Sequence, residues 1–331
     1  MKILVIGCGS AGERHIKNLK SLALAEIIAC DQSQERLEYI KGEYAIEVFR
    51  DYEKALNGEA IDAVLVCTPT SNHIAPASAA IQQGCHVFVE KPISHTLEGV
   101  DSLINEARRK NLTLMTGFNY RFHPDLRHIK KLMDTGAIGK PISAKTHFGS
   151  YFLTRLPFHP GQDYRQDYAA QEVGGGVILD AASHIIDFLR WFFGELTEVF
   201  CYAGIMSGLD LKAEDFAEIL LKFRKGNIAN IHVDFIQQPD QHICEVLGDA
   251  GTITWDNLER KVMLFSAALN QWQEIKVENK TSDMYLEEIK HFIKCIREGH
   301  TPLVDGVTSR RVLEIALAAK ESARAGKAII L

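Results

Sequence analysis

Gly7, Gly9 and Gly12 stand in the run Gly7-Cys8-Gly9-Ser10-Ala11-Gly12, directly after the apolar stretch KILVI and at the start of a helical pattern. That setting points to a phosphate-binding turn. Gly7 would permit a tight turn, Gly9 would let a pyrophosphate reach the backbone, and Gly12 would let helix and strand pack closely. Ser10 and Ala11 would then lie at the helix N-terminus beside the phosphates. Asp31 ends the next apolar stretch about twenty residues on, the spacing at which a carboxylate meets an adenosine ribose. An acceptor-only carboxylate suits ribose hydroxyls and repels a 2′-phosphate. This favours NAD over NADP, although Arg36 lies close enough in sequence to serve a phosphate.

Other polar residues follow the same logic of strand ends. The cluster Cys67-Thr68-Pro69-Thr70-Ser71-Asn72-His73 follows another apolar run. There Thr68, Pro69, Asn72 and His73 would line the cofactor, with Ser71 or Asn72 as a helix cap the competing reading. Glu90-Lys91-Pro92 follows CHVFV, which puts a lysine at the edge where nicotinamide would lie. Glu90 would bond a cofactor hydroxyl or pair with a cation, and Pro92 is a position that tolerates a cis bond. Further on, Asp180, His184 and Asp187 fall at i, i+4 and i+7 of a strongly apolar helical pattern that begins with Gly174-Gly175-Gly176. Titratable groups on one face of a buried helix belong either to a core hydrogen-bond network or to a cleft wall. A metal site on these three lacks a further ligand cluster, and none is assigned.

The elements that must carry these groups change character along the chain. KILVIG, AEIIACD, IDAVLVCT, CHVFVE and LTLMTG are Val/Ile/Leu-rich without polar alternation, as in strands covered on both faces. Helical patterns over residues 10–22, 34–41, 73–83 and 97–110 supply the covers. The prediction is an α/β fold with an N-terminal Rossmann, doubly wound parallel sheet over residues 1–120. After Arg121 the period becomes two. Ala217, Ile219, Leu221 and Phe223, then Ala229, Ile231, Val233 and Phe235, alternate with polar residues around the turn Lys225-Gly226-Asn227. Residues 121–331 are therefore read as an α+β domain with an open, mostly antiparallel sheet over 141–277. Helices are expected at 125–135 and 177–193, and late helices at 284–297 and 309–325 that pack back on the first domain. A cleft between the domains is the expected ligand site.

Composition excludes several function classes. The 331 residues are 46% hydrophobic and 24% charged, and 37 basic against 43 acidic residues leave a net charge of −6. That balance offers nucleic acid or an anionic membrane no basic face. No apolar run approaches the ~18–20 residues of a membrane span and no secretory signal is evident, so a cytoplasmic protein is expected. The seven dispersed cysteines form no Cys-x-x-Cys pair and read as reduced thiols.

GCGSAGERH, the TPTSNH turn, VEKP, GFNYRFHP and GGGVILDAASHIID, in this order over nearly the whole chain, resemble the glucose-fructose oxidoreductase, inositol dehydrogenase and rhizopine catabolism (Gfo/Idh/MocA) family. The resemblance implies an NAD(P)-dependent dehydrogenase or reductase acting on CH–OH groups of sugars, sugar derivatives or cyclitols. Motif by motif, it implies that Lys91, Asp180 and His184 are catalytic and that Tyr120 and Arg121 form an aromatic-Arg turn near nicotinamide and substrate. Ala182 departs from a glycine common in the family, which leaves the turn before His184 open in shape. The chemistry suits these groups: a carbinol that loses hydride must also lose its hydroxyl proton. His184 is the natural base, Lys91 a cation for the developing alkoxide, and Asp180 an orienting or coupling carboxylate. Lys91 as the base stays open.

The 150–173 segment is too long for a simple connection. It carries Tyr151, Arg155, His159, Gln162, Tyr164, Arg165 and Tyr168. Aromatic faces suit a polyol, while Arg155 and Arg165 suit a carboxylate or phosphate, so an acidic or nucleotide-linked sugar is expected. Two other readings use the same fold: a glycoside-cleaving enzyme that oxidises its sugar transiently with NAD, and a catalytically silent NAD-binding sensor. A homodimer or homotetramer is expected, on the argument that an open sheet leaves the apolar face of 217–235 to be covered by another copy.

Overall fold

The computed structural model describes residues 1–154, 163–277 and 281–331. The chain divides into two compact units, Met1–Asn119 with Tyr285–Leu313, and Tyr120–Met284 with Glu314–Leu331.

In the first unit, β1 (Lys2–Ile6), β2 (Glu26–Cys30), β3 (Glu47–Phe49), β4 (Ala63–Val66), β5 (His86–Glu90) and β6 (Leu114–Gly117) form a parallel sheet in the order β3-β2-β1-β4-β5-β6. Ile3, Leu4, Val5, Val64, Leu65, Val87 and Phe88 are fully buried, as expected of strands covered on both faces. Each such apolar side chain contributes roughly 1.5–3 kcal/mol by leaving water. Helices α1 (Ser10–Leu22), α2 (Gln34–Tyr44), α3 (Tyr52–Gly58), α4 (Ile74–Gln82) and α5 (Val100–Arg109) connect the strands. The sequence pattern missed β3 and α3. β3 is three residues long at the sheet edge and only half-buried, and α3 is two turns fixed by the Asp51 carboxylate, which accepts from Glu53 N–H and Lys54 N–H. Pairing of β1 with β4 brings the end of β4 beside the glycine-rich turn, because Gly7 N–H donates to Cys30 O and Cys67 N–H to Ile6 O.

The second unit is built on nine strands, β7 (Pro141–Gly149), β8 (Leu196–Gly204), β9 (Phe216–Phe223), β10 (Ile228–Asp234), β11 (Gln241–Gly248), β12 (Gly251–Asp256), β13 (Lys261–Ser266), β14 (Gln271–Ile275) and β15 (Ile329–Ile330). Their order is β14-β13-β12-β11-β7-β10-β9-β8-β15, with β7 and β10 parallel and the other neighbours antiparallel. Helices α6 (Pro124–Asp134) and α7 (Ser183–Phe193) belong to this unit, and α8 (Thr281–Glu298) and α9 (Gly306–Ala325) close the chain. Ala217, Ile219, Leu221, Ala229, Ile231 and Val233 are fully buried within the chain itself. They form the underside on which the helical segment before α7 packs. The apolar face that the sequence analysis assigned to a second copy is therefore already covered, because the helices supply that cover intramolecularly.

Among the described residues no helix is long and apolar enough to cross a membrane. All seven cysteines are free, and burial pushes the Cys8, Cys30, Cys201 and Cys244 thiols up to about 12, which disqualifies them as nucleophiles.

Candidate active site

The glycine-rich turn has the shape a pyrophosphate requires. Gly7 adopts φ +91°, and a side chain there would lie 2.6 Å from Cys67 O. A Cβ on Gly12 would sit 1.8 Å from Gly7 O, so the helix packs on the turn at a distance no other residue allows. Gly9 is different, since among the described residues nothing lies within 4 Å of where its Cβ would be. Gly9 and Ser10 are exposed, and no side chain caps the α1 N-terminus. The first-turn N–H groups thus face open space at the positive end of the helix, and a dinucleotide fits there.

Asp31 is locked onto the same turn. Its Oδ2 accepts from Cys8 N–H at 2.7 Å and its Oδ1 from Ser33 N–H at 2.9 Å. Each oxygen keeps acceptor capacity for a ribose hydroxyl. Arg36 is committed elsewhere: Nε donates to Cys8 O, and Nη2 pairs with Glu13, whose other oxygen accepts from Tyr44 Oη at 2.8 Å. With its charge neutralised by Glu13, Arg36 does not wait for a 2′-phosphate.

The strand-end residues divide into two kinds. Thr68 Oγ1 donates to Asn72 O at 3.1 Å, while Pro69 and Asn72 are exposed. His73 is buried between two carbonyls, Nδ1 2.9 Å from Pro92 O and Nε2 2.8 Å from Thr68 O. Burial holds its pKa below the ordinary value against those two contacts. It acts as a strut between the Thr68 and Pro92 turns rather than as an open ligand group.

Glu90 likewise turns inward. Its Oε1 lies 2.7 Å from His15 Nε2 and 3.3 Å from Arg14 Nη2. Arg14 also stacks on the Tyr285 ring at 4.0 Å. Burial by itself would raise the Glu90 carboxyl, but the His15 hydrogen bond and charge, with Arg14 and Lys91, hold it well below the usual carboxylate range. Glu90 therefore meets the cation reading of the sequence analysis, and His15 and Arg14 are the partners that reading lacked. Lys91 follows at the end of β5, half-buried and joined to Pro92 by a cis bond.

In the second unit the three glycines thread the chain through a narrow passage. A Cβ on Gly175 would lie 2.3 Å from Gln171 O, and one on Gly176, at φ +92°, 2.4 Å from Glu214 Oε1. Glu214 stands at the start of the helical segment, where Val177 N–H donates to its carbonyl, and its carboxylate pairs with Lys320 at 3.1 Å. Residues 178–182 then form a π turn, with Ser183 N–H bonded to Ile178 O, before α7 begins. This departs from the regular helix expected over 177–193. Ala182, the position of the family departure, is the last residue of this wide turn and is fully buried.

Asp180 lies within this wide turn, and His184 and Asp187 lie beyond it on α7. Asp180 and His184 are both half-buried, and Tyr168 Oη donates to Asp180. The His184 ring lies 5.0 Å from that of Tyr120, so these two candidates share one wall. Asp187 instead is fully buried and accepts two bonds from Arg121, from Nε at 2.6 Å and Nη2 at 2.9 Å. Arg121 also lies over the Trp191 ring at 5.2 Å. This bidentate pair pins the Tyr120 turn to α7, and Arg121, assigned above to the cofactor, is seen here as an anchor. Asp180, His184 and Asp187 do not converge as a metal-ligand group.

A family model described as "Oxidoreductase family, NAD-binding Rossmann fold" matches residues 1–118, and one for the GFO/IDH/MocA C-terminal domain matches residues 126–254. The chain belongs to the Gfo/Idh/MocA family. It is 32% identical to a myo-inositol 2-dehydrogenase of Thermotoga maritima, over 97% of this chain and 96% of that protein. It is 28% identical to the scyllo-inositol 2-dehydrogenase (NAD(+)) of Bacillus subtilis, over 100% of this chain and 96% of that protein. The crystal structure of a probable dehydrogenase from Thermotoga maritima superposes with a TM-score of 0.82 at 28% identity, covering 100% of this chain and 99% of that one. The protein is thus an NAD-dependent oxidoreductase acting on CH–OH groups of sugars or cyclitols.

The two arginine candidates for the substrate stand differently in this Gfo/Idh/MocA chain. Arg155, with His159 and Gln162, lies outside the described residues. Arg165 is exposed and spends its charge locally, with Nε 2.9 Å from Asp163 Oδ1 and Nη2 paired to Asp163 Oδ2. An arginine already neutralised by a neighbour two residues away offers an anionic substrate little. From the same segment the Tyr168 hydroxyl reaches Asp180, a contact that its expected aromatic role did not include.

Proposed function

We propose that the substrate is an uncharged cyclitol or closely similar polyol, oxidised at one ring hydroxyl, with Lys91, Asp180 and His184 around the reacting oxygen. The observation that carries this is the polar pair on an apolar helix, Asp180 held by the Tyr168 hydroxyl and His184 set against the Tyr120 ring. Half-buried on this apolar helix, where Asp187 is fully buried with Arg121, these two are candidates to face a ligand. The inositol dehydrogenases among the relatives support the substrate class, and the neutralised Arg165 argues against a charged substrate.

Bound NAD supplies the hydride acceptor. In this reading His184 takes the hydroxyl proton, while the Lys91 ammonium stabilises the alkoxide as it develops. Asp180, fixed by Tyr168, couples electrostatically to these groups. Tyr120 gives the ring of the polyol an apolar face to lie on.

A scan of absorbance at 340 nm with NAD and a panel of inositols, pentoses and hexoses tests the reading. NADH should accumulate in proportion to polyol consumed, fastest with a cyclitol. Aglycone release without net NADH would replace the proposal with transient oxidation. Lys91→Ala and His184→Ala should each lower turnover by a factor of order 10²–10³ and leave NAD affinity nearly unchanged. Oxidation should fall below about pH 6–7, and that limb should vanish in His184→Ala.

We also infer a homo-oligomer in a reducing cytoplasm, from a different surface than the one first considered. Ile228, Leu247 and Trp272, 46%, 42% and 50% exposed, project from the outer face of the second sheet, and cross-strand register aligns them in one row. Light scattering at the monomer mass of 37.0 kDa would count against it.

A further inference from the structure

His147 and His232 face each other directly across the parallel β7–β10 pair, and Asp234 lies two residues beyond His232 on the same strand. Strand alternation sends all three side chains to one face, opposite the buried Ala229, Ile231 and Val233. Their rings and carboxylate converge: the two imidazole centroids are 4.2 Å apart, and one ligand atom from each residue lies within 4.8 Å of the other two.

The hydrogen bonding around His232 carries the argument. Its Nδ1 is 2.6 Å from Glu218 Oε1 and its Nε2 is 2.8 Å from Asp234 Oδ2. A neutral imidazole has one N–H and one lone pair, so with carboxylates at both nitrogens the ring carries either a second proton or a cation in that proton's place. Asp234 is held in this pose, since its Oδ1 accepts from Ile236 N–H at 2.6 Å and from Gln237 N–H at 2.5 Å, which directs Oδ2 at the ring. Gly149, opposite Asp234 in the register, leaves the room: a Cβ there would be 2.4 Å from Asp234 Oδ2. Gln237 Oε1 lies 3.2 Å from His147 Nε2 and holds the second ring.

We propose that His147, His232 and Asp234 bind a divalent cation of the zinc class, with Glu218 orienting His232 through its other nitrogen. Two imidazoles and one carboxylate are a nitrogen-rich set that suits Zn²⁺ or Co²⁺ and disfavours Mg²⁺ and Ca²⁺, which take oxygen shells. Bonds of about 2.0–2.2 Å place tetrahedral ligand atoms roughly 3.3–3.5 Å apart, so the wider contacts close by at most about 1.5 Å. Glu218 supplies the carboxylate behind a metal-bound histidine, and Asn230 Nδ2 donates to its other oxygen at 3.2 Å. The site lies on the outer sheet face, apart from Asp180 and His184 on their helical segment, so it is a structural cation site.

The test uses full-length protein treated with a chelator and desalted. Titration with Co²⁺ should give one equivalent of bound metal with visible d–d absorption, displaced by Zn²⁺ and not by Mg²⁺. His147→Gln and Asp234→Asn should weaken Zn²⁺ binding at least 100-fold, Glu218→Gln by 10-fold or more, and the exposed His300→Gln not at all. In wild type, Zn²⁺ must shift the side-chain ¹⁵N resonances of two histidines, a readout independent of whether any variant folds. Absence of stoichiometric binding, binding unchanged in His147→Gln, or equal displacement by Mg²⁺ would each overturn the proposal.

Discussion

The Arg121–Asp187 pair offers the sharpest separation of anchoring from cofactor contact. Asp187 has no exposed side-chain surface and Arg121 is 11% exposed, so Asp187→Asn leaves a guanidinium buried beside an uncharged amide. Breaking one partner of a buried ion pair costs about 3–5 kcal/mol. The stacking of Arg121 on Trp191 is present before and after the change, so it cancels and the expected loss stays at about 3–5 kcal/mol. Arg121→Met combined with Asp187→Leu removes both charges and should recover most of that loss, because the desolvation cost of each disappears with it. Turnover should not recover. The pair sets the Tyr120 ring against His184, and a displacement near 1 Å at such a position costs about 10²-fold in rate. Urea unfolding followed by tryptophan fluorescence measures the first quantity, with Trp191 reporting from the pair itself. Steady-state turnover and a separate NAD titration measure the rest. An Asp187→Asn protein within about 1 kcal/mol of wild type would refute the buried-pair argument. A selective loss of NAD affinity in Arg121→Met, with turnover at saturation intact, would return Arg121 to the cofactor.

Three further outcomes follow from the first unit. Glu13→Gln frees the Arg36 guanidinium beside the Asp31 turn, and calorimetric titration should show NADP affinity rising at least several-fold while NAD binding changes little. Gly12→Ala places a methyl 1.8 Å from Gly7 O and should abolish NAD binding; retained affinity would mean that α1 can shift on its strand. Acid should destabilise the fold in two stages, measured by urea unfolding across pH. His73, lowered by burial, takes up its proton more readily when unfolded, so stability falls as pH drops through about 6.5. Glu90, held below the usual range, contributes stability that is fully present above its unfolded value of about 4.3 and is lost as pH falls further. Glu90→Gln should flatten that second stage and, because the Glu90 charge opposes the effect of burial on His73, deepen the first.

The first sheet and its glycine turn were legible because their signals are local. Each strand is a short apolar run, and Gly7, Gly9 and Gly12 announce a turn by their own spacing. β3 escaped because three residues at a sheet edge, one exposed and two half-buried, carry no periodicity. In the second unit the alternation of Ala217 to Phe223 identified strands and their buried side, but not what covers that side, which depends on where α7 packs. The pairing of functional groups was less visible still. Asp187 reads as a member of the Asp180 and His184 face because a regular helix would put it there, and its true partner lies 66 residues away in Arg121. His184 and Asp187 both meet the 120–121 turn, one against the Tyr120 ring and the other paired with Arg121, while Asp180, inside the π turn at 178–182, bonds Tyr168. A register at the level of single residues also hides His147 from any linear reading. The strand IANIHVD shows His-x-Asp on one face, yet the second imidazole comes from a strand whose parallel alignment with β10 exists only in the folded sheet. Periodicity therefore tells which side of an element a residue occupies, whereas the chemistry of this protein is decided by which element stands opposite.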